Sequence, residues 1–157
     1  MELTQITQDE LEMILFRHER WTKGSGEGAR ADFSGIDLSG IDLSGVRLCG
    51  ANLTFARLCG ANLIGADLSR ANFIGADLSH ARLTEVDFYR ANLYRAFVMN
   101  ADLTGAQLSC AKLARASFVG ADLTRADLTD ANLTGTDFTN ATWIDGTKRT
   151  SASSGCL

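Results

Sequence analysis

The sequence predicts an all-β solenoid, in which the chain winds into stacked coils around an apolar axis. Three observations lead to this prediction. Residues 31–145 divide into 23 consecutive pentapeptides without an insertion. The third residue of each pentapeptide, called the centre below, is Leu, Phe, Val or Trp in all 23. Ten of the 23 fifth residues are Gly, which suits a repeated bend.

A five-residue period is compatible with few backbone structures. In an α-helix, residues five apart move around the surface and form no stripe. In a flat strand, an odd period would swap faces at every repeat. Within each pentapeptide the first residue, Ala in 18 cases, and the centre are two apart, so a short extended segment points both to one side. A bend must then turn the chain so that the next pair of apolar side chains points to the same side. The backbones of the stacked coils would lie about 4.8 Å apart and pair as in a parallel sheet.

The centres are the predicted core of this coil. Burying one Leu or Phe side chain is worth about 1.5–3 kcal/mol, and Ala at the first position keeps the interior narrow enough for successive layers to touch. The second residue is Asp or Asn in 15 pentapeptides, and we interpret it as a short polar group that satisfies the backbone near the bend. Representative predicted core centres are Phe33, Leu38, Leu43, Leu63, Leu83, Leu103, Leu123 and Trp143.

The frame A-(D/N)-L-x-x, as in ANLTF or ADLSR, resembles the pentapeptide repeat proteins. The resemblance covers 115 of 157 residues. It implies a right-handed, four-sided parallel β-helix with four pentapeptides per coil, and a bacterial origin. The recurrence of Asn52, Asn72 and Asn92 agrees with that coil length. The repeats would then form about six coils and a rod roughly 28 Å long.

The segments outside the repeats are predicted to form the two ends. Residues 1–30 are expected to be a short α-helical cap and a linker, because Thr7 and Glu10 fit a capping box and Leu11, Ile14 and Leu15 follow helical spacing. The helix should end before Gly24 and cover the first coil, since repeat arrays need capped ends. Residues 146–157 are polar and rich in Ser, which is typical of a flexible C-terminal tail.

Composition and motifs argue against several functional classes. The formal net charge is −4, whereas a nucleic-acid surface needs a basic surplus, so no direct nucleic-acid binding is expected. The absence of long apolar runs and of a signal-peptide layout predicts a cytoplasmic protein without membrane contact. Four Cys residues form no CxxC pair, and two His residues are too few for a metal site. We therefore expect no catalytic residue, no cofactor and no metal.

Departures from the outer pattern give the one candidate site. Apolar residues replace the usual polar ones near the middle of the repeats, and with four pentapeptides per coil they fall on two adjoining walls. Such patches often mark partner surfaces, although aromatic and β-branched residues also stack along a sheet for stability alone. Four arginines, Arg90, Arg95, Arg115 and Arg125, are expected near the same region. The candidate patch consists of Ile74, Tyr94, Phe97, Met99 and Val119.

Three functions remain open on the sequence. The first is a non-catalytic scaffold that presents one wall to an unknown protein partner, as a monomer or weak dimer. The second is DNA mimicry directed at DNA gyrase or topoisomerase, which the resemblance implies for some members of the family. The third is a purely structural protein with no strong partner. The repeats carry 13 acidic and nine basic residues, a dilute charge for a DNA mimic.

Overall fold

The computed structural model describes residues 4–148, and the predicted tail residues 149–157 lie outside this range. The helix and the strands longer than one residue are β1 (Thr4–Gln5), α1 (Gln8–Thr22) and β2 (Ile36–Asp37). All further pairing between coils consists of single parallel bridges between second residues that lie four pentapeptides apart, from Asp32↔Asn52 to Asp122↔Thr142. The coil length implied by the resemblance is therefore observed, with four pentapeptides in each coil.

Hydrogen bonds between neighbouring coils repeat with the same period. The N–H of a second residue donates to the carbonyl of a first residue on the preceding coil, as from Asp77 to Ala56 at 2.9 Å. The N–H of a centre donates to the carbonyl of a second residue on the following coil, as from Leu83 to Asp102 at 2.7 Å. An inner coil is therefore bonded to both of its neighbours, through the N–H and C=O groups of its second residues, the N–H groups of its centres and the C=O groups of its first residues.

Each bend is a tight turn whose fifth residue adopts left-handed backbone angles. All 22 fifth residues from 35 to 140 have φ between 54° and 73°. Glycine adopts this conformation without a steric penalty, and it occupies ten of these positions. The other twelve corners force an L-residue into the left-handed region, at a cost of roughly 1 kcal/mol each.

The core is a continuous column along the axis. The eight representative centres are all buried, seven of them at 3 % exposure or less and Trp143 at 7 %. Buried alanines line the column between them, from Ala31 to Ala141. Aromatic layers contact each other, with the rings of Phe73 and Phe88 edge to face at a centroid distance of 5.4 Å.

The helix α1 packs on the first coil. Leu11 is buried in the same apolar cluster as the centres, and Ile14 and Leu15 pack partly against it. The predicted capping box is confirmed, since the Glu10 carboxylate accepts from the Thr7 N–H at 2.9 Å and Thr7 Oγ1 accepts from the Glu10 N–H at 3.3 Å. The strand β1 pairs in parallel with β2 beside the helix.

Beyond the last pentapeptide the chain folds back. The Trp143 N–H donates to the Thr147 carbonyl at 2.6 Å, and Thr142 forms an antiparallel bridge with Lys148. Residues 146–148, assigned in the sequence analysis to the flexible tail, thus form a turn against the last coil. Within the described part of the chain, no helix has the length and apolarity that a membrane span requires.

Candidate partner-binding surface

The register of four pentapeptides per coil divides the repeats into four walls, which we number in chain order. Wall 1 contains pentapeptides 31–35, 51–55, 71–75, 91–95, 111–115 and 131–135. Walls 2, 3 and 4 contain the first, second and third pentapeptides that follow each of these. Walls 1 and 2 together form one side of the rod, which comprises residues 31–40 and the equivalent segments of the later coils. Walls 3 and 4 form the other side.

The predicted patch residues occupy adjacent columns on walls 1 and 2. On wall 1, Ile74 and Tyr94 lie on neighbouring coils, since the Gly75 N–H donates to the Tyr94 carbonyl at 3.0 Å. On wall 2, Met99 and Val119 are related in the same way through Asn100, at 2.9 Å. These four side chains are half-buried.

Phe97 lies at the corner where walls 1 and 2 meet. It occupies the second position of its pentapeptide, between Asp77 and Ser117 on the neighbouring coils. Its backbone is fully paired, donating to Ala76 and accepting from Leu78, at 2.9 and 2.7 Å. Its side chain is 47 % exposed, so it projects from the corner into solvent.

The same corner carries an aromatic residue that the sequence analysis missed. Phe55 has a φ of 57° and is 64 % exposed. Its ring lies over Gly75 on the next coil, in space that a Cβ at Gly75 would occupy. Phe55 is the only Phe, Tyr or Trp at a fifth position, and that signal was available in the sequence. Phe55 and Phe97 are the only large apolar side chains exposed on the described repeats.

Two arginines stack on the tyrosines that precede them. The guanidinium carbon of Arg95 lies 5.3 Å from the ring centroid of Tyr94, and that of Arg90 lies 5.1 Å from Tyr89. A cation over an aromatic face is attracted by the negative face of the ring. Arg95 is thereby held beside the patch, whereas Tyr89 belongs to wall 4.

The expected arginine cluster is only partly present. Arg95 and Arg115 lie on successive coils at the corner between walls 1 and 2. Arg90 lies at the corner between walls 4 and 1. Arg125 lies at the corner of walls 3 and 4, so its predicted position near the patch is wrong. The error arises because Arg95 and Arg125 are six pentapeptides apart, which places them on opposite sides of a coil made of four.

Charge is unevenly distributed around the rod. Walls 3 and 4 carry nine acidic and five basic residues, and we call them the acidic side. Walls 1 and 2 carry four of each and are called the neutral side. Exposed apolar surface and net charge therefore segregate to opposite sides, a property that composition alone does not reveal.

The second-position carboxylates serve the turns that follow them. In Asp32, Asp37 and Asp137, for example, Oδ1 accepts from the N–H two residues later at 2.9–3.0 Å. Hydrogen bonds from Ser34 to Asp32 and from Thr139 to Asp137 lower the pKa values of these carboxyl groups. These carboxylates are thus hydrogen-bonded to the backbone, and their lowered pKa values keep them ionised at lower pH than a free carboxyl group.

Other reactive groups are isolated. Cys49, Cys59 and Cys110 are free thiols, while Cys156 lies outside the described residues. Over residues 4–148 no group of three or more His, Cys, Asp or Glu side chains is arranged to hold a metal ion. His18 is fully buried at the junction of α1 and the first coil. On the described repeats, the apolar corner is the surface that exposes large apolar side chains.

Comparison with known proteins identifies the repeats. The family model for pentapeptide repeats matches residues 29–65, 66–105 and 106–142. A pentapeptide repeat protein from the cyanobacterium Cyanothece 51142 is 28 % identical, with a TM-score of 0.72 over 85 % of this chain and 99 % of its own. Another, from the Arabidopsis thaliana thylakoid lumen, is 32 % identical, with a TM-score of 0.46 over 73 % of this chain and 69 % of its own. A search of curated proteins found no match. Because the family model matches nearly all of the repeat region, the chain belongs to the pentapeptide repeat family.

Proposed function

We propose that this protein is a non-catalytic scaffold that binds a protein partner through the corner between walls 1 and 2. One observation carries the proposal: Phe55 and Phe97, the two exposed large apolar side chains of the described repeats, lie on that corner. The half-buried residues Ile74, Tyr94, Met99 and Val119 extend the apolar surface to both sides. An apolar surface with a polar surround is typical of protein interfaces.

The architecture supports such a role. Hydrogen bonds at every coil hold the walls in a fixed geometry, so side chains on the corner are presented with little loss of conformational freedom on binding. We propose a right-handed β-helix of about six coils over residues 31–145, capped by residues 1–30. The packing of Leu11 against the first coil and the turn at 146–148 support these boundaries.

The acidic side favours a second candidate, the mimicry of DNA towards gyrase or topoisomerase. Its nine acidic residues are held in register by the coils. Five basic residues, including Arg47 and Arg82, interrupt the acidic columns and weaken the field. The two candidates use opposite sides of the rod, so one experiment can separate them.

That experiment is affinity capture with matched variants. The test variant is Tyr94→Asp/Met99→Asp on the neutral side, and the control is Ile64→Asp/Tyr89→Asp on walls 3 and 4. All four residues are half-buried fourth-position residues, so both variants place two new carboxylates on adjoining walls. A partner retained by the wild type and the control but lost by the folded test variant supports the scaffold. A gyrase or topoisomerase subunit retained by the test variant and by the control, whose two added carboxylates strengthen the acidic side, supports mimicry. No partner for any variant supports a purely structural protein.

A further inference from the structure

We infer that the apolar corner recognises an acidic amphipathic α-helix that lies along the rod axis. This inference rests on the proposed function, since it specifies the partner segment for the same surface. We call this region the corner surface. It consists of six apolar or aromatic residues and two flanking arginines: Phe55, Ile74, Tyr94, Phe97, Met99 and Val119, with Arg95 and Arg115.

The charge around the corner surface is opposite to that of the whole chain. The neutral-side segments 71–80, 91–100 and 111–120 contain three basic residues, Arg95, Lys112 and Arg115, and one acidic residue, Asp77. The chain as a whole carries a formal charge of −4. A partner segment with carboxylates is therefore attracted to this region and repelled by the acidic side.

Arg95 is already positioned for such a partner. Stacking on Tyr94 at 5.3 Å holds its guanidinium beside the aromatic ring. No ion pair of Arg95 or Arg115 occurs within the described structure, whereas Arg57 on the same corner lies 3.9 Å from Asp37. Both guanidinium groups can thus bind a carboxylate without breaking an existing ion pair.

The backbone around the corner surface excludes strand addition. Phe97 and Ser117 both donate to the preceding coil, at 2.9 Å, and their carbonyls or those of neighbouring residues accept from adjacent coils. On these inner coils the N–H and C=O groups that pair one coil with the next are already bonded, so a partner strand would find no ladder of free groups to extend. Recognition must therefore use side chains, which favours a segment whose own backbone is internally satisfied, as in a helix.

The spacing of the corner surface fits a helix. Its apolar residues occur on four successive coils, from Phe55 through Ile74 and Tyr94 to Val119. Neighbouring coils are about 4.8 Å apart, and successive turns of an α-helix are about 5.4 Å apart. Two coil steps, about 10 Å, correspond to about seven helical residues, so apolar residues at i, i+4 and i+7 would face three successive coils of the four.

The test is selection from a displayed library of random peptides of about 16 residues, long enough for four helical turns. The immobilised full chain is the bait, and sequences that also bind Phe97→Asp are removed. Tyr89→Asp, which changes an aromatic residue on the acidic side, is the matched control and must retain the selected peptides. The inference predicts sequences with apolar residues at i, i+4 and i+7, Asp or Glu between them, and helical circular dichroism when bound.

A charge exchange sharpens the test. Arg95→Glu/Arg115→Glu should weaken binding of a selected peptide at least about tenfold. The same variant should bind more tightly a version of the peptide in which Glu is replaced by Lys. Selected sequences that are basic, uncharged or of alternating strand pattern would overturn the inference while leaving the scaffold proposal intact. An empty selection, or a wild-type self-association that Phe97→Asp abolishes, would overturn it as well. The capture experiment decides the scaffold proposal separately.

Discussion

The backbone N–H of Ala31 donates a 2.9 Å hydrogen bond to Nδ1 of the buried His18 ring. This bond joins α1 to the first residue of the first coil. It requires an unprotonated Nδ1, so the neutral ring carries its proton on Nε2. The ring also stacks on Trp21, with centroids 5.4 Å apart. This bond between the helix and the repeats therefore requires a neutral histidine.

Acidification should weaken this attachment. Burial is the main cause that lowers the pKa of His18, with Arg30 acting in the same direction and the Cys49 backbone and Asp67 opposing it. The unfolded chain consequently binds a proton before the folded chain does, and stability falls as pH drops below about 6.5. We predict a melting temperature that decreases between about pH 7 and pH 5.

His18→Asn is the control for that prediction. Its Oδ1 can take the place of Nδ1 as an acceptor but does not titrate, so the slope of melting temperature against pH should flatten in this range. The result is followed by thermal denaturation across the pH series. A wild-type melting temperature independent of pH, or an equal slope in His18→Asn, would show that the ring does not control docking of α1.

A charge introduced at a centre should disrupt the core. Leu83 has no exposed area, and Leu83→Asp would bury an unpaired carboxylate. We expect loss of the cooperative transition or a melting temperature lowered by more than about 10 °C. The milder Leu83→Ala should cost about 2–5 kcal/mol of unfolding free energy. Asp77→Ser, on an outer wall, should cost far less, and an unchanged melting temperature in Leu83→Asp would disprove the inward direction of the centre.

The left-handed backbone angles at the corners predict stability changes of opposite sign for two substitutions. Arg70 has a φ of 58°, so Arg70→Gly should remove a backbone penalty and raise the free energy of unfolding by up to about 1 kcal/mol. Gly40 has a φ of 69° with open space around its Cα, so Gly40→Ala should lower it by a similar amount through backbone strain alone. Chemical denaturation measures the free energy of unfolding of both variants. Changes of the same sign would contradict the left-handed conformation assigned to these corner residues.

The turn carboxylates predict an acid-sensitive component of stability. Side-chain and backbone hydrogen bonds from Thr139 lower the pKa of Asp137. Its contribution is present above the unfolded pKa of about 3.9 and is lost as pH falls through the lower folded value. Asp137→Asn keeps an acceptor oxygen but cannot titrate. Denaturation below about pH 4 should therefore show a smaller loss of stability for this variant than for the wild type.

The period of the sequence was sufficient to predict a solenoid, because neither a helix nor a flat strand keeps centres such as Leu63 and Leu68 facing one side every five residues. The capping box at Thr7 was equally visible, since it depends on residues three apart. The position of Arg125 and the role of Phe55 were not predicted correctly. Both depend on which residues meet across coils, and the five-residue pattern is the same on every wall. The bond from Ala31 to His18 was hidden for a related reason, since it joins two segments with different periodicities.

We expect a partner to contact the corner between walls 1 and 2, and site-specific photo-cross-linking can detect this contact. Benzoyl-phenylalanine would replace Phe97 in one protein and Tyr89 in another, so that each change exchanges one aromatic side chain for another. Irradiation in cells that express the protein should give a discrete higher-mass adduct from position 97 and none from position 89. An adduct from position 89 alone, or equal adducts from both positions, would contradict the assignment of the partner surface to this corner.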